Sequence, residues 1–318
     1  MINKKWLFRL IGITILIYIL FKIDFREYVR YLDQIHIPEL VYACLLILFI
    51  YFVKAFRWKL LLRSQNIKYS YRDTFLAFTS SNFIAFITPG RLGEFAKVFY
   101  LKNDQDIPVS RSISSVITDR LFDVYILLCF GMFGVIKIGM GSNFLFYIFL
   151  LICLFLPFLF FHKGILNYWV NLLVRLPLIS KIALRKNESI QQFKEGFQQL
   201  LNIRLLYAAV LTLISYIVLY IAAWFIADSM QIELSFVSII LMVSVANILS
   251  FLPITISGLG TREAVFIYFF SNIQYSAEQA LVYSTLFFFC FYIIGGLYAY
   301  ICYMIKPVSL SRIKQETQ

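Results

Sequence analysis

The chain has 318 residues, 61% of them hydrophobic and only 14% charged. With a mean hydropathy of +0.80, this excludes a soluble domain and implies an all-α polytopic membrane protein, since helices satisfy their own backbone groups in lipid. The formal net charge of +12 points to cytoplasmic loops and anionic lipid contact; nucleic acid is not expected, because no soluble basic domain is present to carry it.

Apolar stretches long enough to span lie at about 5–22, 39–57, 112–136, 144–161, 203–227 and 279–305. Lys4 and Lys5 before the first run resemble a signal peptide, yet the run ends in LFKIDFREY without a small-x-small site. An uncleaved first helix is therefore expected. Two further stretches, 73–101 and 236–270, are hydrophobic but broken. In the first, one arm ends at Pro89 and Gly90. The arm after it reaches Leu101, about ten residues or roughly 15 Å of helix, against a core of about 30 Å. A re-entrant hairpin is expected. Pro253 followed by SGLG reads the same way in the second stretch, with a longer second arm.

Charge sets the expected orientation. Lys54, Arg57, Lys59, Arg63, Lys68 and Arg72 follow the second helix, which places that loop inside. Lys54 and Arg57, read as lying at a helix end, are expected to snorkel to the interface. Lys102 and Arg111 put both ends of the first hairpin inside. Residues 162–204 form a second basic segment, with a surface helix expected at 188–200. The stretches 138–143, 228–235 and 271–278 lack Lys and Arg and fall outside. The reading closes with both termini inside, about six spanning helices, and two hairpins that dip from opposite faces.

Helix, hairpin, helix thus occurs twice, with the second unit inverted. A single transmembrane domain over 1–318 is expected, with repeat 1 at about 39–137, a cytoplasmic connector at about 162–202 and repeat 2 at about 203–305. SSNFIAFITPG and VANILSFLPIT pair Asn82 with Asn247; GRLGEFAKVFY and GLGTREAVFIY pair Glu94 with Glu263. Inverted repeats with broken helices are a recurring transporter plan, with the site at the repeat interface.

Charges at membrane depth are costly and mark a cavity or a partner. Here they are Arg91, Glu94 and Lys97 in the first hairpin, Arg262 and Glu263 in the second, and Asp119, Arg120 and Asp123 in 112–136. Gly90 and Gly93 beside Pro89, and Gly258 and Gly260, allow sharp turns and close approach to a ligand. The arms that follow begin as helices whose N-termini favour anions. Arg91, Arg262 and Lys97 with those N-termini form an expected anion cradle, in which arginine offers phosphate a fork. Glu94 and Glu263 either fix the arginines or bind a coupling proton. Asp119 and Asp123, one turn apart, are equally consistent with a structural ion pair. Asn82 and Asn247 are read first as helix-packing hydrogen bonders.

Cys44, Cys129, Cys153, Cys290 and Cys302 all lie in apolar runs without a CxxC pair, and His36 and His162 are far apart. No disulfide framework, metal site, catalytic triad or cofactor is expected. GxxxxGK[ST] is absent from the sequence.

PGRLGE with the following Lys97, SSVITDRLFDV at 114–124 and SGLGTREA, in that order, resemble the lysylphosphatidylglycerol synthase transmembrane-region, or flippase-like, family over nearly the whole chain. In multidomain members a cytosolic synthase domain follows, and the membrane part moves the modified lipid. The chain ends at Gln318 without such a domain, so lysyl transfer is not expected and enzyme activity is left open. The resemblance implies a translocase of an anionic phospholipid or polyprenyl-phosphate-linked lipid in a bacterial cytoplasmic membrane. Its partners are then the lipid and, optionally, a separate lipid-modifying enzyme. A carrier of a soluble anion and a membrane-embedded lipid transferase are the alternatives.

Overall fold

The computed structural model describes residues 14–137, 147, 151, 187–251 and 258–308, and every regular element among them is helical. The chain is an all-helical polytopic membrane protein. After helix α1 (14–22) and the short α2 (Phe25–Asp33) comes α3 (Ile37–Ser64). Pro38 in its first turn loses no intrahelical bond, because those N–H groups have no partner in the helix. Its 28 residues span about 42 Å.

Broken helices follow. Ser70 accepts the Asp73 N–H and starts α4 (Tyr71–Phe86). A 3-10 segment (Pro89–Phe95) leads into α5 (Ala96–Gln105), of ten residues. Next come α6 (Val109–Lys137) and α7 (Asn187–Leu200). The expected surface helix is therefore present, with one face docked: Phe193, Phe197 and Leu200 are buried with α6 residues Ile113 and Val116. Gln65 Nε2 donates to Gly196 O at 3.1 Å and to Ser114 Oγ at 2.6 Å, which ties α7 to α3 and α6.

The second half opens with α8 (Ile203–Ser229), whose first turn is capped by Asn202 accepting the Arg204 N–H. Then come α9 (Phe236–Phe251), α10 (Thr261–Ser271) and α11 (Ala277–Phe288). A π-helical turn (Phe289–Ile294) joins α11 to α12 (Gly295–Ile305). By length and composition α3, α8 and the continuous Ala277–Ile305 are long and apolar enough to cross a membrane. With 29 residues, α6 is as long but carries Asp119, Arg120 and Asp123. The expected span at 144–161 lies outside the described residues except for Leu151 and Tyr147.

α3 and α8 form the most extensive helix pair. They run antiparallel: His36 N–H donates to Ser229 O at 2.8 Å, and Arg204 Nη1 donates to Arg63 O at 3.0 Å at the other end. Buried Ala43, Ala55, Ala208, Ala222 and Ala223 permit the close approach.

At the first break, Thr88 Oγ1 accepts the Gly93 N–H at 2.7 Å while its hydroxyl donates to Ile84 O at 3.0 Å. A Cβ on Gly93 would lie 2.3 Å from the Ile84 carbonyl carbon, so only glycine fits there. At the second break Gly258 takes φ +77° and faces Ser250, a conformation that costs glycine little. Pro253 lies outside the described residues. Because helix begins only after Gly260, α10 has 11 residues, close to α5 and shorter than the second arm expected from sequence. Long helix, two short helices, long helix therefore occurs twice.

Candidate functional site

The four-residue spacing of Asp119 and Asp123 on α6 sets both carboxylates on one face, which packs toward α3. Arg57 meets them. Its Nε donates to Asp119 Oδ1 at 2.8 Å, and its Nη1 donates to Asp123 Oδ1 at 2.7 Å and Thr212 Oγ1 at 3.0 Å. Lys97 Nζ donates to Asp119 Oδ2 at 2.7 Å, and Lys54 Nζ to Asp123 Oδ1 at 3.1 Å. Arg57 and Lys97 are each 0% exposed.

Two expectations change. Lys54 and Arg57 do not snorkel from a helix end, because α3 continues to Ser64; the α6 carboxylates compensate the charges inside the protein instead. Lys97 does not stand in an open anion cradle. It is enclosed with Asp119, its ammonium 4.6 Å from the Phe78 ring centroid and 5.4 Å from that of Trp58.

A second knot forms at the break. Arg120 Nε pairs with Glu94 Oε2 at 2.9 Å, and Arg120 Nη2 donates to Arg91 O. Arg91 Nε lies 3.7 Å from Glu94 Oε1, and Lys97 Nζ lies 3.8 Å from Glu94 Oε2. Glu94 thus links the two knots. Five cations (Lys54, Arg57, Arg91, Lys97, Arg120) share three carboxylates (Glu94, Asp119, Asp123), leaving a formal excess of two positive charges.

In the second half, Glu263 binds its neighbour. Arg262 Nη2 donates to Glu263 Oε1, and Arg262 Nε donates to Ser284 Oγ at 2.9 Å. Ser284 donates in turn to Glu263 Oε1 at 2.9 Å. Gly260 N–H donates to Glu263 Oε2 at 2.6 Å. The α10 N-terminus is therefore occupied by its own side chain rather than presented to a ligand. At the first break the Gly93 N–H is likewise taken by Thr88. At each break one N–H is thus already held by a local side chain, Thr88 at the first and Glu263 at the second.

A cavity lies between the halves, lined by Lys54, Arg91, Glu94 and Asp123 among its charged groups. Asn82 and Asn247 both line it, one from each broken pair. Each donates Nδ2 to the carbonyl four residues earlier, Phe78 O at 2.9 Å and Val243 O at 2.8 Å. Their remaining amide capacity is left for the cavity. Arg57, Lys97, Asp119 and Arg120 back the wall without lining it; Gly258, Gly260, Arg262 and Glu263 do not line it either.

The two charged sets connect through aromatic rings. The Arg91 guanidinium sits 5.4 Å from the Phe86 ring centroid, and the Phe86 ring 5.2 Å from that of Tyr292. Arg262 lies 5.6 Å from the same Tyr292 ring and 5.1 Å from that of Phe288. Tyr292 lies in the π-helical turn, and just after that turn Gly295 O accepts from Tyr51 OH at 3.2 Å. Sequence reasoning passed over Tyr51, Tyr216 and Tyr292 as lining residues. A signal for Lys54 and Arg57 did exist: their three-residue spacing complements the four-residue spacing of the α6 acids.

A family model described as lysylphosphatidylglycerol synthase TM region matches residues 7–299. A UPF0104 membrane protein of Methanocaldococcus jannaschii is 24% identical over 332 residues, covering 98% of this chain and 98% of that protein.

Proposed function

The chain belongs to the lysylphosphatidylglycerol synthase TM region family, and from that premise we propose that it is a translocase for an anionic, phosphate-bearing lipid. The observation that carries this reading is the cavity wall, where Lys54 and Arg91 stand beside Asn82 and Asn247. The two amides come from the two broken helix pairs. A phosphate head group would take Lys54 from Asp123 and Arg91 from Glu94, while the asparagine amides hydrogen-bond its ester and hydroxyl oxygens.

Moving a head group through hydrocarbon strips its water and leaves a charge without compensation. A wall that already holds cations lowers that cost, because their partners Asp123 and Glu94 keep Arg57 and Arg120 when the head group takes Lys54 and Arg91. The cations facing the lipid are held by the buried knot behind them: Arg57 fixes Asp123, and Arg120 fixes Glu94. The lipid tails stay in the bilayer. In this proposal the broken pairs are re-entrant hairpins entering from opposite faces of a cytoplasmic membrane, as an inverted repeat, with both termini inside.

The reading is tested by where a head group binds. A phosphatidylglycerol analogue with a photoreactive group on its head is expected to label peptides around Asn82 and Asn247 in the full chain. Labelling confined to the exposed outer faces of α3 and α8 contradicts the reading. Protection of the cavity by soluble glycerol phosphate alone points instead to a soluble-anion carrier.

A further inference from the structure

We infer that the groove at the basic ends of α3 and α8 binds the head group of an anionic phospholipid, at a site separate from the central cavity. The groove is bounded by the end of α3, residues 66–70 and the start of α8. Lys59, Arg63, Lys68 and Arg204 converge on it, and no carboxylate is among its described lining residues. It shares no lining residue with the central cavity.

Two other cations near helix ends are matched by carboxylates. Lys102 pairs with Asp106 at 2.8 Å and Lys306 with Asp73 at 2.7 Å, while the cations around the cavity share Glu94, Asp119 and Asp123. The groove's four cations have no ion-pair partner among the described residues. Arg204 Nη1 donates to Arg63 O at 3.0 Å, and Lys59 Nζ lies 5.4 Å from the Tyr71 ring centroid. Ser70 at the edge donates to Asp73 Oδ2 at 2.5 Å, and Lys306 neutralises that carboxylate. Four clustered like charges repel one another unless an anion joins them, and two arginine forks suit a phosphate.

The surroundings favour a lipid over a free anion. On α3 the exposed residues Phe49, Phe52 and Phe56 recur at helical spacing and run down to Lys59 and Arg63. On α8, exposed Ile203 and Tyr207 flank Arg204. A phospholipid matches both parts, its phosphate in the groove and its acyl chains along the apolar faces. Basic pockets at the ends of membrane helices recognise anionic head groups in this way.

The test uses the full chain, purified with equal amounts of phosphatidylglycerol and phosphatidylcholine, with bound lipids counted by native mass spectrometry. Wild type is expected to retain phosphatidylglycerol preferentially. Removing a juxtamembrane cation costs about fivefold in affinity, so Arg63→Gln/Arg204→Gln is expected to lower retention about 25-fold. Lys59→Gln/Lys68→Gln, which spares the Arg204 to Arg63 contact, is expected to do the same. Lys102→Gln, which removes a cation lining neither the groove nor the central cavity, is expected to leave lipid retention unchanged. Unchanged retention in both double variants, equal retention of phosphatidylcholine, or displacement by inorganic phosphate at the lipid's own concentration overturns the inference.

Discussion

Asp119 accepts from Arg57 at 2.8 Å and from Lys97 at 2.7 Å, and both cations are fully buried. Removing this one carboxylate leaves Arg57 with Asp123 as its remaining carboxylate and Lys97 with only the 3.8 Å contact to Glu94. Asp119→Ala is therefore expected to destabilise the folded protein by about 3–5 kcal/mol, read as a large fall in thermal unfolding temperature in detergent. Lys54→Gln touches only the cavity-facing end of the network, so its expected loss of stability is smaller. Equal melting temperatures for Asp119→Ala and wild type would show that the knot carries no stability. Much of this network was visible in the sequence, because charged residues inside apolar runs draw attention to themselves. Arg57 was misread because the apolar run was closed at that residue, whereas α3 continues to Ser64. Tyr292 could not be read at all, since its place on the cavity depends on a π-helical turn with no marker in FCFYII.

The broken pairs are decided at the level of elements by glycine positions. A side chain on Gly93 collides with the backbone of α4, with Ile84 C at 2.3 Å and Ala85 N at 2.4 Å. Backbone cannot rotate away as a side chain can. Gly93→Ala is expected to cost at least about 1–3 kcal/mol and to displace the segment that carries Arg91 and Glu94. Gly296 in α12 is the contrast: an added Cβ there meets only the Phe86 ring, at 3.6 Å and beyond. Gly296→Ala is expected to be neutral or stabilising by up to about 1 kcal/mol, the helix-propensity difference. Parallel thermal melts of the two variants separate close approach from a general sensitivity to glycine loss. The existence of both breaks was legible from Pro and Gly clusters. The length of α10 was not, because positive φ at Gly258 and Gly260 delays the helix start to Thr261.

Across the whole molecule, Lys306 ties the end of the second half to the first. Its ammonium pairs with Asp104 at 2.6 Å and Asp73 at 2.7 Å, and Tyr100 OH donates to Lys306 O at 2.7 Å. Burial pushes the Lys306 ammonium down, but the Asp104 and Asp73 carboxylates outweigh it and hold its pKa above the ordinary lysine value. A raised folded-state pKa means that the latch contributes fully below the unfolded lysine pKa and is lost as pH climbs through the folded one. Wild type is thus expected to melt above Lys306→Ala at neutral pH, with the gap closing only beyond the ordinary lysine range. A gap that closes near pH 7 would contradict this assignment. The doubled order of long and broken helices was legible in the sequence. That the halves meet through Phe86 and Tyr292 was not, because stacking across a cavity leaves no periodic trace.

The most direct measurement is lipid translocation in proteoliposomes, with fluorescent phosphatidylglycerol and phosphatidylcholine compared for wild type, Lys54→Gln and Arg91→Gln. The account predicts rapid movement of the anionic lipid by wild type and at least a tenfold fall in both variants, about 1.4 kcal/mol of barrier, while both remain folded. Wild-type rates no faster than protein-free vesicles, or cavity variants as fast as wild type, would contradict a phosphate head group passing through this cavity.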